Sequence, residues 1–282
     1  MQKFILKIYA LLVSLLLFPA VFNLNAQENA IETVNHATLL GVGQAFLNDT
    51  YLSPLEYKGL AFSLMHERLS PAKISDKKLL LQQKTMLQVA FTKNPSASAS
   101  EYYGAISYNA NLLHAFLKNN RLKIYGGAGV DAMLGGIYNQ RNSNNPGSLK
   151  TSLNLDVSAM ATYNWKQLTF RWQLSSPFAG IFFSPAFGQS YYEIFSLGNG
   201  DGTILFGSFF NQLALQNYFT VDMPIKNITL RAGYLGNYYK TNVNDIFTKI
   251  SSHQLMVGFA LESINFGGKR VTENPLIKSS YY

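Results

Sequence analysis

The segment TSLNLDVSAMATY (151–163) alternates without a break. Leu153, Leu155, Val157, Ala159, Ala161 and Tyr163 take one phase, and Ser152, Asn154, Asp156, Ser158, Met160 and Thr162 take the other. Period two is the mark of a β-strand with one apolar and one polar face. LTFRWQL (168–174), ITLRAGY (228–234) and HQLMVGFALESINF (253–266) repeat the pattern. Helical stripes with caps are hard to find. Ten segments read as strands, near 38–47, 58–69, 83–93, 101–116, 121–138, 149–163, 168–180, 204–222, 228–242 and 249–264. The first alternates least cleanly.

Alternation alone also fits a secreted β-sandwich, whose apolar face would be its core. Four features favour a membrane barrel. The segments run well past the ~5–6 residues of ordinary strands. Only 13% of residues are charged, about half the usual share in a soluble domain. Short connections at 118–121, 164–167 and 222–227 alternate with longer ones near 48–57, 94–100, 139–148, 181–203 and 243–248, as turns and outside loops do in outer-membrane barrels. The connection near 70–82 breaks that rule, being long where a tight turn is expected. Aromatics gather at Tyr102, Tyr103, Tyr138, Tyr238 and Tyr239 on one side and at Phe116, Tyr163, Trp165, Phe219 and Phe266 on the other, like two interfacial girdles. The expected fold is all-β, an antiparallel up-and-down transmembrane β-barrel of about ten strands, with twelve as the nearest rival.

Lys3 and Lys7 precede an apolar run from Ile8 to Phe18, closed by Pro19 and the small-residue ending NLNAQE. That is the layout of a secretory signal peptide over 1–26, cleaved after Ala26. Residues 27–282 then form one outer-membrane barrel domain, with a periplasmic tail from about 267. No later run reaches the ~20 apolar residues of a spanning helix. The chain has no cysteine, which removes a lipidated thiol as an anchor. Without the two signal lysines the formal charge falls from +8 to +6, spread without a basic block. This gives no case for nucleic acid and suits outer-membrane lipid, surface polysaccharide or other envelope proteins as partners.

YGGAGVDAMLGG (125–136) looks at first like a phosphate-binding loop. It lacks the helix that must open on the glycines, and no GK[ST] follows. It reads instead as the middle of a strand whose Gly127 and Gly129 leave room for large inward groups, with Asp131 paired to an inward Lys or Arg. If the apolar phase faces lipid, Glu67, Lys84, Lys123, Asp131, Asp156, Arg171, Arg231 and Glu262 all point into the lumen. The expected result is a salt-bridged plug in a barrel too narrow for a wide channel. A narrow pore lined by the same charges is the alternative.

Catalysis and metal binding find little support. Among the four histidines, only His253, beside Ser251 and Ser252 with Asp245 nearby, sits where a surface hydrolase would place a base. It reads more simply as an interfacial polar residue, so no catalytic residue is assigned. No metal-ligand spacing occurs, and neither metal nor cofactor is expected.

The stretches LGVGQAFLNDTYLSPLEYKG (40–59) and FGQSYYEIFSLGN (187–199) resemble an uncharacterised Bacteroidetes family of predicted outer-membrane barrels, domain of unknown function 3316. The resemblance implies an exported barrel and adds no catalytic residue. The two stretches fall in outside loops, so Tyr51, Leu55 and Tyr57 are expected to meet Tyr191, Tyr192 and Glu193 in a binding cap at the barrel mouth. Together these readings describe an integral outer-membrane protein with a filled polar lumen and a structural, surface-binding or assembly role. Its oligomeric state is open.

Overall fold

The computed structural model describes residues 31–74, 77–119, 121–225, 228–263 and 277–278. The signal segment 1–26, most of the tail from 267 and Phe266 lie outside the described residues. Strands β1 (Ile31–Glu32) and β13 (Ile277–Lys278) pair parallel in a small sheet of their own. All the others form one antiparallel sheet: β2 (Val34–Asp49), β3 (Ser53–Ile74), β4 (Lys77–Lys93), β5 (Ser100–Lys118), β6 (Leu122–Asn139), β7 (Gly147–Trp165), β8 (Leu168–Phe183), β9 (Ile204–Ser208), β10 (Gln212–Ile225), β11 (Ile228–Val243) and β12 (Ile246–Ser263). Each strand follows its neighbour up and down. β12 pairs with β2, and β10 pairs with β8 from Asp222↔Thr169 to Gln216↔Ser175. That last pairing closes a ring of ten strands and leaves β9 as an extra piece on the upper part of β8.

The alternating phases explain which side chain goes where. Leu40, Leu255, Val257, Phe259 and Trp172 stand exposed on the outer wall, while Glu67, Gln82, Arg171, Thr220 and Arg231 are buried inside. This is a soluble protein turned inside out, as a strand wall in hydrocarbon requires. The interior is filled but not uniformly polar. Leu39, Met65, Tyr218, Leu235 and Met256 form an apolar cluster in it, and Tyr57, Tyr103 and Ile137 join another.

Several expectations change in detail. The connection near 70–82 is part of two long strands, with register running unbroken from Lys58↔Lys93 to Ile74↔Lys77, so the tight-turn rule holds there. The β11–β12 loop shrinks to Asn244 and Asp245, both at positive φ (53° and 59°), the double left-handed geometry of a two-residue hairpin that Asn and Asp tolerate. The single strand expected over 204–222 is split. Asn211 makes the break, accepting from Ser208 N–H at 2.8 Å and donating to Phe206 O at 2.8 Å. Neighbouring residues on a strand face opposite ways, so Tyr103 and Tyr239 turn into the barrel, and only Tyr102 and Tyr238 remain as girdle candidates in those pairs.

The glycine-rich stretch is a strand, paired with β5 and β7 over its length. Its inward glycines do not make room for bulky lumen groups. A Cβ on Gly127 would run into the Leu112 carbonyl, and one on Gly129 into the Ala110 carbonyl and the Asn111 amide. The space belongs to the neighbouring backbone, because a narrow ring coils its strands sharply. On the outer side Gly126 is covered by the ring of Phe116, the extra residue of a bulge in β5. We predict that Gly127→Val costs about 1–3 kcal/mol or more through overpacking and abolishes the heat-modifiable gel shift of the folded barrel. Gly147→Ala, which meets open space, should keep that shift.

Candidate functional site

The lower lumen, toward the turns that join β3 to β4 and β10 to β11, is blocked by a network around Glu67 on β3. Arg171 of β8 binds it with both terminal nitrogens, Nη1 to Oε1 at 2.8 Å and Nη2 to Oε2 at 2.7 Å. Arg231 of β11 adds Nη1 to Oε2 at 2.7 Å, and Gln82 of β4 donates to Oε1 at 2.6 Å. Arg231 in turn grips Asp222 through Nε and Nη2 at 2.7 and 2.6 Å. The Arg171 guanidinium lies over the Tyr218 ring, 4.8 Å from its centre. Gln82 and Gln173 exchange hydrogen bonds at 2.8 and 2.6 Å. Every group of this plug is 0–1% exposed. Charges buried so deeply persist because each finds an opposite partner.

Higher in the lumen the compensation is looser. Asp156 accepts from Asn109 Nδ2 at 2.6 Å. Asp131 takes hydrogen bonds from Asn109 and Asn154 and forms no ion pair among the described residues. The expected Lys or Arg partner is therefore absent, because Lys84, the nearest inward cation, donates instead to Gln216 Oε1. Lys123 is buried and Glu262 half-buried, within electrostatic reach of each other. All eight residues assigned to the lumen lie on the inward phase. Sequence reasoning missed Asp222, which it set where the strand 204–222 meets the connection 222–227, and the buried pair Asp49–Lys150 at 2.9 Å, of which Asp49 was left in a loop and Lys150 stood in the strand 149–163 without being assigned to the lumen. Asp222 continues the phase of Tyr218 and Thr220, which was the available signal.

The outer mouth is closed by loops. A short helix α1 (Tyr191–Phe195) carries a capping box: Ser190 N–H donates to Glu193 Oε2 at 2.7 Å and Glu193 N–H to Ser190 Oγ at 3.2 Å. Phe183, Tyr191 and Phe195 stack at 5.9–6.1 Å. Tyr51 meets Tyr191 edge to face at 5.8 Å, and its hydroxyl donates to Gln189 O at 2.7 Å. Burial, then the nearby Tyr191, Asp49 and Glu193, pushes the Tyr51 hydroxyl up to about 12, so it remains a donor. Of the six cap candidates, Tyr51 and Tyr191 come together. Tyr57 lies deeper, accepting from Asn139 Nδ2 at 3.2 Å. Leu55 and Tyr192 are exposed on the outside, and Glu193 is spent on its own helix.

Beside the cap a groove of about 1000 Å³ runs over the rim, lined among others by Phe91, Tyr102, Tyr138, Asn144, Asn145 and Tyr192. Tyr102 and Tyr138 are register partners with rings stacked at 6.4 Å, and Phe91 meets Tyr102 at 6.0 Å.

The family model described as protein of unknown function (DUF3316) matches residues 9–270. The chain belongs to this family. No curated protein matches it. Among solved structures it is similar to the outer-membrane protease OmpT of Escherichia coli (8% identity, 85% of this chain and 99% of that one, TM-score 0.43). It is also similar to the transport unit of the autotransporter AIDA-I from Escherichia coli (8%, 87% and 93%, 0.45) and to the translocator domain of NalP from Neisseria meningitidis (13%, 89% and 95%, 0.40). The family member described here has the fold of an outer-membrane barrel.

No protease-like centre appears at His253. Its side chain faces outward with Nδ1 2.5 Å from the Tyr234 hydroxyl, whereas Ser252 points inward to accept from Gln88 at 2.8 Å. Among the described residues no three His, Asp or Glu gather as a metal site.

Two predictions follow from the seals. In planar bilayers the protein gives no steady conductance. Glu67→Ala, which leaves the Arg171 guanidinium without its carboxylate and Arg231 with Asp222 alone, destabilises by about 3–5 kcal/mol and opens current steps; a large steady current from the unaltered protein would contradict the plug. The Ser190 N–H holds the Glu193 carboxyl below the usual carboxylate range. Its contribution is complete above the ordinary glutamate value and is lost as pH falls through the lowered one. Amide exchange at Ser190–Glu193, corrected for intrinsic rate, should rise between about pH 5 and about pH 3, and Glu193→Gln should flatten that rise.

Proposed function

We propose that this family member is a non-conducting outer-membrane binding protein, exported by a signal peptide over 1–26, whose outer rim holds the saccharide of the cell surface. The observation that carries this reading is the rim groove. It combines the stacked rings of Tyr102 and Tyr138, the Phe91 ring set edge to face against Tyr102, and the exposed Tyr192 ring with the amides of Asn144 and Asn145. Flat aromatic faces cover the C–H surfaces of sugar rings, and amides meet hydroxyls as both donor and acceptor. Tyr192 is 65% exposed and Tyr138 49%, so both rings are open to a ligand at the rim.

The plug argues against the narrow pore, and the outward, Tyr-bound His253 argues against a surface hydrolase. Outer-membrane lipid is the natural neighbour of the lower rim, with the saccharide above it. The test is calorimetric binding of surface polysaccharide, released from the host cell by mild acid, to the purified barrel. Tyr102→Ala and Tyr192→Ala should each weaken binding by roughly twofold to tenfold. No binding, or equal affinity in both variants, would reject the reading.

A further inference from the structure

The ring has one weak place. β8 and β10 pair up to Ser175↔Gln216, and β8 takes β9 as its partner only from Ala179↔Ser208. Between the two ladders, Ser176, Pro177 and Phe178 face the stretch from Phe209 to Leu215 across an open seam. One hydrogen bond crosses it, from Ser176 Oγ to Ala214 O at 2.7 Å. Pro177 has no N–H to offer. The other neighbouring pairs of the ring keep continuous ladders along the wall, with single-residue bulges in β5–β6 and β7–β8 and one wider irregularity, Asn48 against residues 54–56, at the β2–β3 hairpin end. A lumen cavity of about 130 Å³ reaches this seam: Ser176, Pro177, Ala214 and Leu215 line it together with Asp131 and Asp156. On the outside Leu215 is 43% exposed and Phe210 fully exposed.

The chemistry of the lining is specific. Asp156 Oδ1 and Asn154 Oδ1 are buried acceptors with no hydrogen-bond partner, on side chains at most 4% exposed. Each lacks a donor, and a buried polar group left so costs about 1–3 kcal/mol. Two carboxylates face one ammonium, and that ammonium, Lys84, is turned to Gln216. Met65, Met86 and Met133 supply adaptable apolar surface around them. An apolar cavity of roughly 150 Å³ holds a benzene ring, so this one has room for a single ring or a short alkyl chain.

We propose that the cavity binds a small primary ammonium compound with an apolar body, its N–H groups turned to Asp156 and Asn154, and that the compound passes between lumen and bilayer through the β8–β10 seam. The site is separate from the rim groove, and neither reading depends on the other.

Benzylamine is the probe, with benzoate and toluene as controls, against the full protein in lipid nanodiscs at neutral pH. Benzylamine should bind measurably better than both controls, and Asp156→Asn should weaken it on the order of tenfold or more. Asp131→Asn, judged beside it for retained heat-modifiability, should act in the same direction. The chain has no cysteine, so Ser176→Cys gives one thiol at the seam; saturating benzylamine should slow its labelling by a membrane-soluble maleimide. Tyr192→Ala should leave all of this unchanged. Benzoate or toluene binding as well as benzylamine, or both folded aspartate variants binding normally, would overturn the ligand class. Unprotected labelling at Ser176→Cys would overturn the route.

Discussion

The structure depends on how a buried carboxylate, Glu67, is shared between two guanidinium groups. Glu67 hangs from β3, Arg171 from β8 and Arg231 from β11, and Arg231 carries the link on to Asp222 of β10. β8, β10 and β11 are consecutive in the ring and β3 lies across from them, so Glu67 reaches over the lumen to tie the two sides together. The outer wall leaves no alternative place for such charges, because hydrocarbon can satisfy neither backbone nor side-chain polar groups. Polar side chains are driven inward by the same alternation that turns leucines outward. Once inside, they must compensate one another. Desolvation offsets most of the Coulombic gain of such a network, so its clearest consequence is the cost of removing one partner and leaving another charge buried alone.

Alternation reveals the inward phase from sequence, which is why Glu67, Arg171 and Arg231 could be placed in the lumen before any coordinates. It does not reveal partners. Asp222 meets Arg231 only because the β10–β11 register places them opposite, and register follows from where a hairpin turns. The turns were the less legible part. Strands here continue past the apolar belt into polar residues, so Asp49 looks like a loop residue and Asp222 like the first residue of a turn while their backbones are still in the ladder. The reverse error occurred at Phe209 and Phe210. Their hydrophobicity continues the strand pattern, and the break is made by hydrogen bonds of Asn211, a single polar residue with little weight in a periodicity.

The cap shows the same division between composition and geometry. Tyr191 and Tyr192 are identical in chemistry, yet Tyr191 stacks on Phe183 and Phe195 and is half-buried, while Tyr192 stands in solvent. One helical step separates them. The capping box that fixes this step is written in the sequence as Ser190-Tyr191-Tyr192-Glu193, the S-x-x-E spacing. That spacing assigns Glu193 to its own helix and withdraws it as a ligand anchor. What remains for a ligand is the aromatic row on the rim, whose members come from separate strands and are aligned by register alone.

With a plug below and a cap above, exchange along the barrel axis would have to break several buried hydrogen bonds at either end. The wall is different. A membrane barrel tolerates unpaired backbone only where protein covers it or a cavity lies behind it, and the seam between β8 and β10 has a cavity behind it. The excess of chain from Phe209 to Leu215 over Ser176 to Phe178 prevents simple zipping of the two ladders. The seam is therefore built into the length of the segment. The lumen beside it is also where charge compensation is least complete, at Asp131 and Asp156. Interior polarity and the interruption of the wall coincide at one cavity, which Asp131 and Asp156 line together with Ser176, Pro177, Ala214 and Leu215.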